Sequence, residues 1–249
     1  MNQNEVALVT GGNKGIGREI VRQLGLRGLT VYLAARNPEL GTAAAAELKD
    51  EGLDVRFVQL DVTDVESVDA AAKQVEADSG RLDVLVNNAG IVAEWGTSVA
   101  DITADQVRTA YDVNVFGVVA VINAFVPLLR RSPNARIVNM SSGLGSTTLL
   151  SELGGRLATQ GLLAYSSSKA ALNALTLVYA SALRADNIKV NAATPGLVPT
   201  DLNTQASVPR GERTVADGAA VPVALATLPT DGPTGAFRGP ESLSDVAPW

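Results

Sequence analysis

Val6-Ala7-Leu8-Val9-Thr10-Gly11-Gly12-Asn13-Lys14-Gly15-Ile16-Gly17 is the stretch on which the reading of the whole chain turns. Five residues suited to a buried strand run into a glycine-rich turn, and an amphipathic pattern follows over Ile16–Arg27. Further short apolar runs recur at Thr30–Ala35, Val55–Leu60, Leu82–Asn87, Arg136–Ser141 and Ile188–Ala193. Their near-continuous apolar character predicts parallel strands buried on both faces. Helix-length segments lie between them, at Ala43–Asp50, Val65–Asp78, Ala104–Leu129 and Leu162–Arg184. A helix is expected over Val215–Leu228, starting late or kinking at Pro222, and Thr234–Arg238 is a candidate seventh strand. Strand–helix alternation predicts an α/β doubly wound parallel sheet of about seven strands, with helices on both faces. No composition break marks a linker, so residues 1–249 read as one domain.

The glycine turn has a chemical reading. Its pattern is T-G-x-x-x-G-x-G, with glycines at 11, 15 and 17. Glycines let the backbone turn tightly and approach a pyrophosphate, and the following helix offers free N–H groups at a positive dipole end. The plainer reading is a glycine-rich turn with no ligand. After the second strand, where an acidic residue would bond a ribose 2′-hydroxyl, the chain has Arg36, and Lys14 sits in the glycine loop. Two cations suit a 2′-phosphate, so NADP(H) is expected over NAD(H). Glu39 is a counter-candidate, and Arg36 could be an ordinary surface residue.

The second informative stretch is Tyr165-Ser166-Ser167-Ser168-Lys169. A phenol and an amine four residues apart on a helix share one face. A nearby ammonium favours phenolate, so Lys169 is expected to pull the tyrosine pKa down and ready it for proton transfer. The chain has no His and no Cys. The commonest acid–base side chain is therefore absent, as are disulfides, thiolate nucleophiles and the usual zinc ligands; no metal site is expected. The alternative is a half-buried tyrosine beside a surface lysine on an ordinary helix.

Composition narrows the function classes. The 249 residues are 46% hydrophobic and only 4% aromatic, so Ala, Val and Leu must fill the core. The formal net charge is −6, with no basic stripe, which argues against a nucleic-acid partner. No run of about 18 uncharged apolar residues is evident, so no membrane span is expected. Met1–Glu5 has no basic leader character, and a cytoplasmic location is the default expectation.

Taken in order, Thr10-Gly11-x-x-x-Gly15-x-Gly17, Asn87-Asn88-Ala89-Gly90, Ser142, Tyr165-x-x-x-Lys169 and Pro195-Gly196 resemble the short-chain dehydrogenases/reductases across nearly the whole chain. The resemblance implies a Rossmann fold and catalytic roles for Asn114, Ser142, Tyr165 and Lys169. Ser141 is then the neighbour of the catalytic hydroxyl. The cofactor set it implies comprises Gly11, Asn13, Lys14, Gly15, Ile16, Gly17, Arg36, Asp61, Val62, Asn88, Ala89, Gly90, Tyr165, Lys169, Pro195, Gly196, Val198 and Thr200. Asp61 is similar to the residue that bonds the adenine amino group, although it could instead cap the helix starting near Asp64. Asn88 and its neighbours could be a structural turn. Asn114 is similar to the amide that holds a water linking the lysine to solvent, or it could simply kink its helix.

The implied chemistry is delivery of hydride from the pro-S face of NADPH to a ketone or aldehyde carbon. Tyr165 protonates the oxygen, Ser142 hydrogen-bonds it, and Lys169 holds the nicotinamide ribose. The 23-residue spacing from Ser142 to Tyr165 and the Pro248-Trp249 ending resemble the NADPH-dependent carbonyl reductase branch. A small-molecule carbonyl or alcohol is the implied substrate, and monomer or homodimer the implied assembly. Two alternatives stay open: a pathway-specific ketoreductase, for example in polyketide modification, and a non-catalytic NADP(H)-sensing protein. The insertion at about 143–163 and the polar segment at about 197–214, expected to be a mobile flap, would read substrate shape.

Overall fold

The expected apolar runs form a single sheet of seven parallel strands in the order β3-β2-β1-β4-β5-β6-β7. These are β1 (Val6–Thr10), β2 (Thr30–Ala35), β3 (Val55–Gln59), β4 (Val84–Asn87), β5 (Arg136–Met140), β6 (Lys189–Ala193) and β7 (Phe237–Arg238). The computed structural model describes residues 4–155, 162–206 and 210–249. β1 pairs with both β2 and β4, so the strand order reverses beside β1. Ligands of open α/β sheets bind outside the carboxyl ends of the strands at such a reversal.

Alternate residues of each strand face opposite layers. Ala7, Val9, Val31 and Leu33 pack against helices α1 (Gly15–Leu26), α2 (Pro38–Asp50) and α8 (Val215–Ala226). Leu8, Tyr32 and Ala34 share the other core with α3 (Val65–Ser79), α5 (Gly117–Leu129) and α7 (Leu163–Ala182). The two cores are filled mainly by aliphatic side chains, as the low aromatic content requires.

Three elements differ from the sequence reading. α2 begins at Pro38, five residues earlier than expected. Asn37 caps it by accepting the Leu40 N–H at 2.8 Å, and Pro38 supplies a preset helical φ. Gly41 hid this start, yet a Cβ there would lie 2.1 Å from Phe57 Cε2, so glycine is what lets α2 sit on the sheet. α8 does not start late: it begins at Val215 and runs to Ala226. A Thr214–Asp217 capping box fixes its first turn, and Pro222 lies inside it. The expected long helix 104–129 contains a π turn at Asp112–Phe116, between α4 (Ala104–Tyr111) and α5. By length and composition alone this helical stretch could cross a membrane. Its Val121, Ile122, Phe125 and Leu129 are fully buried against the sheet, which accounts for its composition.

Candidate active site

A cleft of about 440 Å³ opens at the carboxyl end of the sheet, where the order reverses. Its floor is the glycine loop. Gly11 and Gly15 hold positive φ values of +63° and +54°, which β-carbons disfavour. A Cβ at Gly17 would lie 2.3 Å from Gly11 O and 2.4 Å from Asn88 Nδ2. Lys14 precedes α1, no side chain caps that helix, and its first turn carries no acidic residue. Its leading N–H groups are thus left for an anion, which suits a pyrophosphate.

The loop is braced from β4. Thr10 Oγ1 accepts from the Asn88 and Ala89 N–H groups, each at 3.0 Å. Asn88 Nδ2 donates to Thr10 O at 2.9 Å and Gly11 O at 3.2 Å. Asn88 is therefore a strut between the two strand ends rather than only a turn residue. Asp64, not Asp61, caps α3. Asp61 Oδ1 accepts from Thr63 N at 2.9 Å and Thr63 Oγ1 at 2.7 Å, which holds it at the cleft wall.

The expected cofactor residues divide by position. Gly11, Asn13, Lys14, Gly15, Ile16, Gly17, Arg36, Asp61, Val62, Asn88, Ala89, Gly90 and Thr200 all line the cleft. Tyr165, Lys169, Pro195, Gly196 and Val198 do not line it, nor does the expected catalytic Ser142. Val198 is buried toward α8, where a Cβ at Gly218 would meet its Cγ2 at 2.8 Å. Gly196 takes φ +73° and faces Pro240 and Arg213. Arg36 is exposed at the cleft and makes no ion pair among the described residues. Lys14, by contrast, pairs with Asp201 at 3.0 Å, and both side chains are exposed.

That ion pair belongs to the segment expected to be a flap. Asp201–Asn203 forms a short 3₁₀ turn, and Leu202 O accepts the Trp95 indole N–H at 2.9 Å. The segment is tied to the glycine loop on one side and to the loop after β4 on the other. Residues 207–209 of the expected flap lie outside the described residues. In the expected insertion, Gly143–Gly145 is a 3₁₀ turn and Thr147–Leu150 a short helix, α6. Residues 156–161 of that insertion also lie outside the described residues.

Tyr165 projects from the first turn of α7 and packs with Leu144, Leu162, Val92 and Trp95. Val92 and Trp95 also line the cleft, so the phenol stands behind its wall. Ser142, from the turn after β5, is a polar neighbour of the tyrosine hydroxyl, and its Oγ accepts the Leu144 N–H at 3.1 Å. Lys169 Nζ donates to Met140 O at 2.8 Å and lies 5.6 Å from the Tyr165 ring centroid. A Cβ at Gly90 would come within 3.4 Å of that ammonium, which places Lys169 beside the cleft edge.

The electrostatics correct the expectation of a lowered tyrosine pKa. Burial pushes Tyr165 up to about 12, and the Glu94 charge adds to that; the neighbouring Ser142 hydroxyl opposes both. The ammonium stands over the ring rather than at the hydroxyl, and burial lowers Lys169 itself to about 8. Helical spacing gave the right face but not the depth of burial.

Asn114 sits in the π turn, a feature frequent at functional sites. Its Oδ1 accepts from Ile91 N at 3.0 Å. Its Nδ2 donates to Ile91 O and to Ser168 Oγ, each at 3.0 Å. Both amide protons are spent, so only an oxygen lone pair is left for a further partner. Ser168 in turn donates to Tyr165 O at 2.7 Å. Sequence reasoning missed Ser168, Glu94 and Trp95. It also missed the buried chain Asn87–Asn139–Thr176, joined by two 2.9 Å bonds. Polar residues inside apolar runs were the available signal for Asn139 and Thr176.

The model of the family described as short chain dehydrogenase matches residues 5–210. The chain belongs to the short-chain dehydrogenase family. Among members of this short-chain dehydrogenase family, Short-chain dehydrogenase/reductase 1 of Saponaria officinalis is 36% identical over 301 aligned positions, covering 99% of this chain and 97% of that one. Human Carbonyl reductase [NADPH] 1 is 36% identical over 272 positions, covering 93% and 95%. Both aligned lengths exceed the 249 residues of this chain, so these relatives carry segments it lacks. The NADPH-bound carbonyl reductase from chicken fatty liver superposes with a TM-score of 0.85 at 29% identity, covering 99% of this chain and all of that one. Salutaridine reductase from Papaver somniferum gives 0.80 at 30% identity, covering 94% of this chain and 99% of that one. The chain is thus a short-chain dehydrogenase similar to carbonyl reductases and related reductases.

Proposed function

We propose that this short-chain dehydrogenase is a carbonyl reductase in which Tyr165 gives its proton to the oxygen of a ketone or aldehyde. The observation that carries this reading is a buried phenol, with the Ser142 side chain beside it, behind the wall of a cleft that fits a dinucleotide. A phenol that keeps its proton at neutral pH is a proton donor, which is what carbonyl reduction requires.

NADP(H) is the cofactor, and when bound it supplies the hydride. The uncapped α1 N-terminus and Gly11, Gly15 and Gly17 fit its pyrophosphate. Arg36 and Lys14 fit a 2′-phosphate, and Asp61 and Val62 line the adenine end. Asn88, Ala89 and Gly90 form the wall beside Lys169, whose ammonium would hold the nicotinamide ribose. Pro195, Gly196, Val198 and Thr200 shape the segment that meets the nicotinamide.

Ser142 hydrogen-bonds the same carbonyl oxygen as Tyr165, so charge developing there meets two positioned donors in a site shielded from water. Asn114 fixes Ile91 and, through Ser168, the first turn of α7, which keeps the phenol in register with the cleft. Ile91, Val92, Trp95 and Leu202 make much of the remaining wall apolar, which suits bulky, apolar ketones. Relatives named Salutaridine reductase and (+)-neomenthol dehydrogenase support that class. We read the chain as one dinucleotide-binding domain with the substrate site built in. The acidic, cysteine-free chain suits a cytoplasmic location, as a monomer or homodimer.

The test follows NADPH and NADH consumption with aldehydes, cyclic ketones, quinones and ketoesters, using wild type and Tyr165→Phe. Tyr165→Phe should bind NADPH as wild type does and lose most turnover. Near-wild-type reduction by this variant would refute the role of Tyr165. NADPH binding without oxidation across the whole panel would refute the carbonyl reductase reading.

A further inference from the structure

We propose that Glu94 is a positioning residue for Tyr165: from the loop after β4 it caps the helix that carries the phenol and fixes where that phenol stands. The inference rests on the carbonyl reductase reading for its catalytic meaning, but not for its geometry.

Glu94 is only 1% exposed, in a loop that also carries two cleft residues, Val92 and Trp95. Its Oε1 accepts the Tyr165 N–H at 2.7 Å, and its Oε2 accepts the Ala93 N–H at 3.0 Å. A carboxylate this deep needs such donors, because desolvation is otherwise costly. No ion pair holds it among the described residues. Its role is visible from the other end of the contact. α7 is a 20-residue helix whose N-cap is Leu162, which offers no side-chain oxygen. Its first turn carries no acidic residue either. Tyr165 is the third residue of that helix, and its N–H is one of the orphan donors that a capping side chain ordinarily takes. Glu94 supplies the missing acceptor and puts a negative charge at the positive end of the helix dipole.

The position of this cap matters more than its strength. Tyr165 and Lys169 occupy the first two turns of α7, so the contact that anchors the first turn also sets where both groups stand relative to the cleft. The groups facing the phenol are few. Lys169 comes from its own helix, with Nζ 5.6 Å from the ring centroid. Ser142, from the turn after β5, is uncharged. Glu94, from the β4 loop, brings the negative charge that resists ionisation of the phenol. Burial is the larger cause that holds the phenol in its protonated form, and the Glu94 charge adds to it.

The test uses the full chain labelled with ring-¹³C tyrosine. Only four tyrosines are present, and Tyr165→Phe assigns the resonance of interest. Glu94→Gln keeps an oxygen for the helix and removes the charge. Its Tyr165 resonance should titrate at lower pH than in wild type, with NADPH affinity unchanged within about twofold. Glu94→Ala removes the cap as well, and should lose about tenfold or more in kcat while KM for NADPH stays near wild type. A Tyr165 resonance that titrates in Glu94→Gln as it does in wild type overturns the proposal. So does a Glu94→Ala kcat within twofold of wild type. Should Glu94→Ala not fold, the Glu94→Gln titration decides alone. The titration needs no turnover. Absence of carbonyl reduction in wild type would therefore strike the functional reading and leave the cap to be judged on its own data.

Discussion

Replacing Lys169 with Met should make the protein's stability lose a specific pH dependence. In the native state burial lowers the Lys169 pKa from 10.5 to about 8. In the unfolded chain the ammonium is solvated and titrates at its ordinary value. Between pH 8 and 10.5 the unfolded state therefore binds more protons than the native state, and stability rises with pH across that window. Below pH 8 both states are protonated and the native state carries the full desolvation penalty, which at 1.36 kcal/mol per pKa unit is about 3 kcal/mol. Part of that is offset by the charge-assisted bond to Met140 O at 2.8 Å. Urea denaturation of wild type and Lys169→Met at a series of pH values isolates this group, because other titrating groups cancel in the difference. From pH 8 to pH 10 wild type should gain about 2 kcal/mol relative to the variant. A difference in stability that stays flat across that range would refute the reasoning, whatever its absolute value. The cost has a functional sense: a lysine used only for stability would not be held where its charge is disfavoured.

Arg36→Ala should raise KM for NADPH about tenfold while leaving KM for NADH unchanged, measured by initial rates with both cofactors. Asp201→Asn frees Lys14 from its exposed ion pair; NADPH should bind about two- to fivefold tighter at low salt, and titration at 1 M salt should erase the gain. Gly41→Ala forces a methyl group onto the Phe57 ring and should cost about 1–3 kcal/mol in urea unfolding, with activity per folded molecule retained.

What could be read in advance depended on whether a feature is local. The buried parallel strands were legible because continuous apolar runs between helical patterns leave few other arrangements. The glycine loop was legible because backbone geometry and residue type are tied together at Gly11, Gly15 and Gly17. The start of α2 was not, because Gly41 looks like a helix breaker until Phe57 is seen lying against it. Tyr165 and Lys169 were placed on one face correctly, but helical spacing carries no information about burial, and burial sets both pKa directions. Glu94 had no sequence signal at all: its partner is 71 residues away, and nothing in Ala93-Glu94-Trp95 marks an acid that caps a distant helix. The same holds for Lys14, whose contact with Asp201 spans 187 residues. A loop cation was legible; the carboxylate that holds it was not.

The π turn at Asp112–Phe116 means that Asn114 is aimed by chain length as well as by residue type. One residue more than an α-helix would use is accommodated there, while α4 and α5 on either side keep their contacts. Removing a residue of the turn other than Asn114 would let an unbroken α-helix run through, and would rotate one flank against the other by about 100°. Either the amide would swing away from Ile91 and Ser168, or the apolar face of α5 would leave the sheet. Every side chain of the site could survive such a deletion with its identity intact. Substitution scanning would therefore pass over a determinant that a deletion scan across the other four positions would expose.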